Sequence, residues 1–296
     1  MDIGLAYIFL TALAWTGVGC GYSAAARRGL RMTPFVATVA TVAALLNAAV
    51  STRWAMWPGW GAALPVVVVI AASGAIGQWG MLLSGVAMRV APRHSAATWA
   101  VLQMAMVVPF LSATLTGREY AFWYNWAGLP LILTAAVLVL TPQNTQDDES
   151  APNDRLWLAV LLAAFASNAI SQTLAQEISL RHWADTANLR ACVAMAAAGV
   201  TLWLVTLVRR QFPSLQCLVL GALTGCLAAA SAVVLYRALD VCAALGRAYI
   251  VFPVAVGGTI SLFTAYQIVT GREPCELRKL GGLAIGIAGV ALLSIR

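Results

Sequence analysis

Ten apolar runs of about 18 to 28 residues follow one another along this chain, joined mostly by short polar turns. A helix needs about 20 mostly apolar residues to cross the hydrocarbon core of a bilayer. The runs occupy residues 3–26, 32–51, 62–87, 94–115, 122–141, 156–178, 187–208, 213–236, 242–269 and 278–295. The fold they predict is an all-α integral membrane protein with ten transmembrane helices. Composition agrees: 61% of the residues are hydrophobic and 10% are charged. A soluble domain carries roughly 45–50% apolar and about 25% charged residues, so there is too little charge here to coat a water-facing surface. A soluble enzyme, a disordered chain and a disulfide scaffold are all disfavoured. The net charge of +7 is spread between apolar runs rather than gathered on one face, so nucleic acid is not an expected partner. The six cysteines form no CxxC and have no nearby His, so no metal or other cofactor is expected. The first run is too long for a signal core, and Arg27, Arg28 and Arg31 follow it rather than precede it.

One long polar stretch, residues 142–154 (PQNTQDDESAPND), lies near the middle of the chain. It reads as an acidic linker between a first unit, 1–141, and a second, 155–296. The ends of the two units match. TGREYAFWYNWAGLPLILTAAVLVL begins at Thr116 and TGREPCELRKLGGLAIGIAGVALLS at Thr270, a shift of 154 residues that also pairs Arg27 with Arg181 and Gly128 with Gly282. Pairing Pro109 with Pro253 needs a shift of 144 instead, which predicts a local insertion in one unit. Five helices per unit is an odd number, so the two copies are expected upside down relative to each other, as inverted repeats around a central cavity.

Charge supports the inversion. The face that carries the linker also carries Arg27, Arg28, Arg31, Arg89, Arg93, Arg155, Arg209, Arg210, Arg272, Arg278 and Lys279, eleven in all. The opposite face has six: Arg53, Arg118, Arg181, Arg190, Arg237 and Arg296. Basic loops stay cytoplasmic, so residues 142–154 are predicted in the cytoplasm and both termini outside a bacterial-type inner membrane. Trp54, Trp57, Trp60, Trp123, Trp126 and Trp183 fall near one interface and Trp157 near the other, as an aromatic belt does.

The chain resembles the drug/metabolite transporter superfamily, and within it the EamA-type ten-helix transporters. The resemblance rests on the two five-helix units, on Pro109 followed by Gly117-Arg118-Glu119 and Gly128, and on Pro253 followed by Gly271-Arg272-Glu273 and Gly281-Gly282. It implies two bundles facing each other across a cavity, alternating access, and a small metabolite as substrate. Many members are described with both termini in the cytoplasm, and the charge distribution here predicts the reverse.

Polar groups inside a bilayer are costly and should face the bundle interior. Trp15 lies at mid-depth in the first run, with Gly17, Gly19 and Gly21 close by. Gln78 and Trp79 stand among the glycines of the third run. Trp99 and Gln103 share one face of the fourth, with Pro109 further on, and Asn168 and Gln172 share one face of the sixth. Arg247 reads as the one basic residue inside a helix, able to hold an anion in bidentate fashion, although its stem could equally reach the interface. Trp15, Gln78, Trp79, Trp99, Gln103, Asn168, Gln172 and Arg247 are thus the candidate substrate-binding residues, and Pro109 and Pro253 the candidate hinges. Glu177 and Asp240 read as helix ends, so no mid-membrane carboxylate offers itself. Gly282 and Gly286 form a GxxxG that fits internal packing better than a dimer face.

No HExxH or GxSxG occurs, and His94 and His182 fall at opposite interfaces. The predicted function is therefore secondary transport, not catalysis. The cargo is an amino-acid-like or other small polar or anionic solute, with export one direction. The bilayer, and a coupling proton, complete the expected partners for a monomer or homodimer. The alternatives are an intramembrane lipid-modifying enzyme and a non-transporting receptor or scaffold.

Overall fold

The computed structural model describes residues 3–51, 60–91, 95–140, 154–180, 187–270 and 277–295. All regular structure among them is helical. In chain order the elements are α1 (Ile3–Arg27), α2 (Met32–Val50), α3 (Trp60–Val90), α4 (Ser95–Gln103), a 3-10 turn (Met104–Met106), α5 (Val107–Leu115), α6 (Trp123–Leu140), α7 (Asp154–Leu180), α8 (Ala187–Val208), α9 (Leu215–Ala244), a second 3-10 turn (Ala248–Ile250), α10 (Val251–Val269) and α11 (Leu277–Ser294). Among the described residues, eight stretches are long and apolar enough to cross a membrane. This is the all-α build of a multi-pass membrane protein. Leu45, Val68, Val200 and Leu223 stand exposed on its outside, where lipid rather than water meets them.

Arg181, the linker residues 142–153, the motif Gly271-Arg272-Glu273, His94, His182, Trp54, Trp57 and Trp183 lie outside the described residues.

Close backbone contact holds the helices. α3 packs against α7 and α8, α2 against α8 and α9, α1 against α9 and α10, and α6 against α11. A Cβ on Gly74 of α3 would come within 2.2 Å of the Ala194 carbonyl oxygen on α8, so glycine sets that separation. In the same way Gly128 of α6 meets the Gly289 backbone of α11. Gly286 packs internally against Ala135 and Ser261. Without a hydrophobic drive between helices, such small-residue packing and interhelical hydrogen bonds dominate association. Ser73 and Ser171 supply a reciprocal pair of such bonds. Ser73 Oγ donates to the Ser171 carbonyl at 2.9 Å and Ser171 Oγ to the Ser73 carbonyl at 2.8 Å. Trp203 Nε1 donates to Thr41 Oγ1 at 2.8 Å, joining α8 to α2.

Two boundaries differ from the sequence expectation. α9 does not end at 236 but runs to Ala244. Arg237, which read as a loop charge, and Asp240, which read as a helix end, both lie inside α9; Arg237 faces outward and Asp240 pairs within the protein. Gly246, at φ 66°, then ends the helix in the left-handed region, and the Arg247 N–H donates back to the Cys242 carbonyl at 2.8 Å. Arg247 therefore lies in a turn and not inside a helix.

The second difference concerns the prolines. Pro109 and Pro253 lack the N–H that would reach the carbonyl four residues back. Those carbonyls belong to Ala105 and Tyr249, each at the centre of a 3-10 turn. The local breaks are alike, but Pro109 stands late in its segment and Pro253 early in its own. The flanking helix ends, Val90 with Ala244 and Leu115 with Val269, are each 154 residues apart.

Candidate functional site

α1, α3, α4, α7, α8, α9 and α10 line a half-open cavity of about 140 Å³. A single water needs roughly 10–15 Å³ on the same scale, so the space suits a small solute. Six of the eight residues singled out as substrate-binding line it: Trp15, Gln78, Trp99, Gln103, Asn168 and Gln172. Ser73, Ser171, Ser231, Tyr236 and Phe252 add to its polar and aromatic walls, with Met195 beside them. Trp79 and Arg247 are not among the lining residues. Trp79 packs instead on the apolar cluster around Tyr22 and Phe35, and Arg247 sits in the turn after α9.

The glycines shape this wall. A Cβ on Gly19 would lie 2.8 Å from the Trp99 ring, so glycine lets the indole come up against α1. The ring also packs on Phe263, with centroids 6.1 Å apart. On α3, Gly77 meets the Ser171 side chain and Gly80 the α7 backbone, which brings Gln78 between α7 and α8.

The polar side chains divide into two kinds. Asn168 Nδ2 donates to the Leu102 carbonyl at 3.0 Å, tying α7 to α4 just before the 3-10 turn. Gln78 Nε2 reaches only the Met195 sulfur, at 3.5 Å. Gln78 Oε1, Gln172 Oε1 and Trp99 Nε1 are buried with no hydrogen-bond partner among the described residues. Buried polar atoms normally have partners, and these three unpaired ones belong to cavity-lining residues of α3, α4 and α7, where a ligand could pair them.

A charged cluster lies one helical turn beyond the cavity and was not foreseen. Arg190, near the start of α8, is fully buried and pairs with Asp240 of α9. Its Nη1 donates to Ser179 Oγ at 2.9 Å, and Ser179 Oγ donates to Asp240 Oδ1 at 2.8 Å. The guanidinium sits 4.7 Å over the Tyr236 ring, a cation–π contact. Tyr236 is thereby shared between cavity and ion pair. Sequence spacing offered one hint, since Tyr236 and Asp240 are i, i+4 on a helix, but only if α9 is known to continue that far.

The same end of the bundle is stitched by the loop after α5. Arg118 pairs with Glu177 of α7. Glu119, buried, accepts from the backbone N–H groups of Ala248 and Tyr249, both at 2.6 Å. Tyr249 Oη donates to Asn125 Oδ1 at 3.1 Å, and Asn125 Nδ2 donates to the Leu293 carbonyl at 3.3 Å. Burial raises the Glu119 carboxyl to about 7, and the two backbone bonds offset this only in part. Among the described residues, no three His, Cys, Asp or Glu side chains gather as metal ligands.

No family model matches the chain, and no curated protein matches it in sequence. Its shape does have relatives. One solved structure, described only as a crystal structure of a protein, superposes with a TM-score of 0.72 at 17% identity, over 99% of this chain and 97% of that one. The fold is thus a known one, shared along its whole length.

Proposed function

We propose that this protein is a secondary transporter that carries a small polar solute across a bacterial-type inner membrane by alternating access. The observation that carries the proposal is the cavity. It is walled by amides and aromatics in the middle of an apolar helix bundle, with Trp15, Gln78 and Gln103 from residues 1–141 and Asn168 and Gln172 from residues 155–296. Transporter sites lie near the midplane where two repeats meet.

The helix bounds support a ten-span reading in two inverted units. Counting α6 and α11 as spans, Val90 with Ala244, Leu115 with Val269, Trp123 with Leu277 and Leu140 with Ser294 are each 154 residues apart. The packing supports it too. Exchanging the units turns the contact of α3 with α7 into that of α9 with α1, and leaves the α2–α8 and α6–α11 contacts unchanged. These are the features that favour membership of the drug/metabolite transporter superfamily.

The 3-10 breaks at Met104–Met106 and Ala248–Ile250, each tied to Pro109 or Pro253, are the proposed hinges. For orientation, Arg247 joins the face opposite the linker, while Arg190, buried in its ion pair, leaves it. The basic bias toward the linker side therefore stands, and it favours a cytoplasmic linker.

Counterflow of labelled metabolites in proteoliposomes tests the proposal. Accumulation that depends on the protein and saturates with substrate is expected. Movement of none of a broad metabolite panel would overturn it. Labelling of Arg155→Cys, at the exposed start of α7, is expected only from the cytoplasmic side.

A further inference from the structure

An anionic cargo would need a cationic wall, and the described residues supply none. Among them, the lining includes no Arg, Lys, His, Asp or Glu. Arg247, the one cation that the sequence placed within reach, stands in the turn after α9. Moving a full charge out of water without a counter-charge costs several kcal/mol, so a lone ion is a poor occupant.

A cation finds no carboxylate among the described lining residues either, and two of the lining rings are already engaged. A cation binds over an open ring face. The Arg190 guanidinium already stacks on Tyr236, and the Trp99 ring packs against Gly19 and Phe263. What the site does offer is hydrogen bonding of both signs. Gln78 Oε1 and Gln172 Oε1 are acceptors without a donor, and Trp99 Nε1 is a donor without an acceptor, among the described residues. An unpaired buried polar atom is costly, and a solute that pairs all three recovers that cost on binding. Trp15 and Phe252 add flat apolar surface to the same walls.

We infer that the cavity selects a small, planar, uncharged solute bearing both N–H donors and a carbonyl acceptor, of amide or lactam type. The N–H groups face Gln78 and Gln172, and the carbonyl accepts from Trp99. This deepens the transport reading and rests on it for the cavity being the solute site. Discrimination against the charged analogue is strong, because either ion would be buried without a partner.

One scaffold in three charge states tests this. Nicotinamide is neutral, nicotinate is its anionic counterpart and 1-methylnicotinamide its cationic one. Binding is measured by calorimetry on the full chain in nanodiscs. Nicotinamide is expected to bind at least tenfold more tightly than either charged form. Gln172→Leu should weaken it by tenfold or more, and Gln172→Glu should shift the preference toward 1-methylnicotinamide, because it adds the missing counter-charge. Thermal unfolding of each variant separates lost binding from lost fold. Charged forms that bind as well as nicotinamide, or no binding by any of the three, would overturn the solute class. The two readings fail separately. Nicotinamide that binds but is not carried in counterflow leaves the class standing and removes transport. A charged solute that is carried while nicotinamide neither binds nor moves does the reverse.

Discussion

Arg190 and Asp240 pair with each other inside the bundle, where the start of α8 meets the end of α9. Ser179 bonds both partners, and the Tyr236 ring underlies the guanidinium. A buried pair contributes little net stability, but breaking one is costly because the survivor is left as an uncompensated charge, typically by about 3–5 kcal/mol. Asp240→Asn is therefore expected to lower the thermal midpoint in detergent sharply, and Arg190→Met likewise. The double variant Arg190→Met with Asp240→Leu should recover most of the loss, since it leaves no lone charge. Single variants as stable as the parent would show that the pair is not buried as described.

Glu119 gives a pH dependence with a definite sign. Its folded-state carboxyl is raised from 4.5 to about 7 by burial, against which the Ala248 and Tyr249 amides act. Between those values the folded protein holds more protons than the unfolded one, so stability falls as pH rises from about 4.5 to about 7. The full effect is on the order of 3 kcal/mol. Glu119→Gln cannot ionise and should flatten the profile of unfolding midpoint against pH across that window. A parent protein whose midpoint is unchanged or rises from pH 5 to 7 would contradict this.

Glycine substitutions rank by what the new methyl group would meet. At Gly74 it meets the Ala194 backbone at 2.2 Å, which cannot rotate away. At Gly19 it meets the Trp99 ring at 2.8 Å, and at Gly281 nothing lies within 4 Å. Overpacking typically costs about 1–3 kcal/mol, and alanine is about 1 kcal/mol better than glycine in an open helix. Gly74→Ala should be the most destabilised, Gly19→Ala less so but impaired in solute binding, and Gly281→Ala neutral or slightly stabilised. Thermal unfolding of the three in parallel checks the order.

The helices were legible in the sequence because apolar length alone specifies a span. The cavity was largely legible for a related reason. An amide such as Gln78 or Gln172 within an apolar run has no inexpensive place except the interior, so polarity at mid-depth identified the wall. Arg247 failed because its position depended on where one helix ends. Cys242 to Gly246 is apolar enough to extend a span, and only the left-handed Gly246 reveals the stop. Arg190 and Asp240 failed in the opposite direction. Charges near helix ends usually face water, and nothing local in the sequence says that these two, 50 residues apart, neutralise each other in the interior. Trp79 and Trp99 are equally apolar, so which of them faces the cavity is decided by helix rotation alone.

Gln103 and Asn168 both line the cavity, but they should fail differently when shortened. Asn168 is part of the scaffold. Its side chain donates to the Leu102 carbonyl at the end of α4, next to the 3-10 turn proposed as a hinge. Interhelical hydrogen bonds in membranes are worth roughly 0.6 kcal/mol on average and up to about 1.7. Asn168→Ala should thus lower stability by about 1 kcal/mol, and it should also alter turnover, because the tether beside the hinge is gone. Gln103 is buried on the wall of α4, and its expected partner is the solute. Gln103→Ala should leave the unfolding midpoint within a degree or two of the parent while solute affinity falls about tenfold, the loss of one hydrogen bond to a buried group. Measuring unfolding midpoint, apparent affinity and maximal counterflow rate for both variants separates the two roles. Parent-like affinity and rate in Gln103→Ala would remove this residue from the binding wall. An Asn168→Ala protein with a parent-like midpoint and rate would show that its bond to α4 does not restrain the hinge.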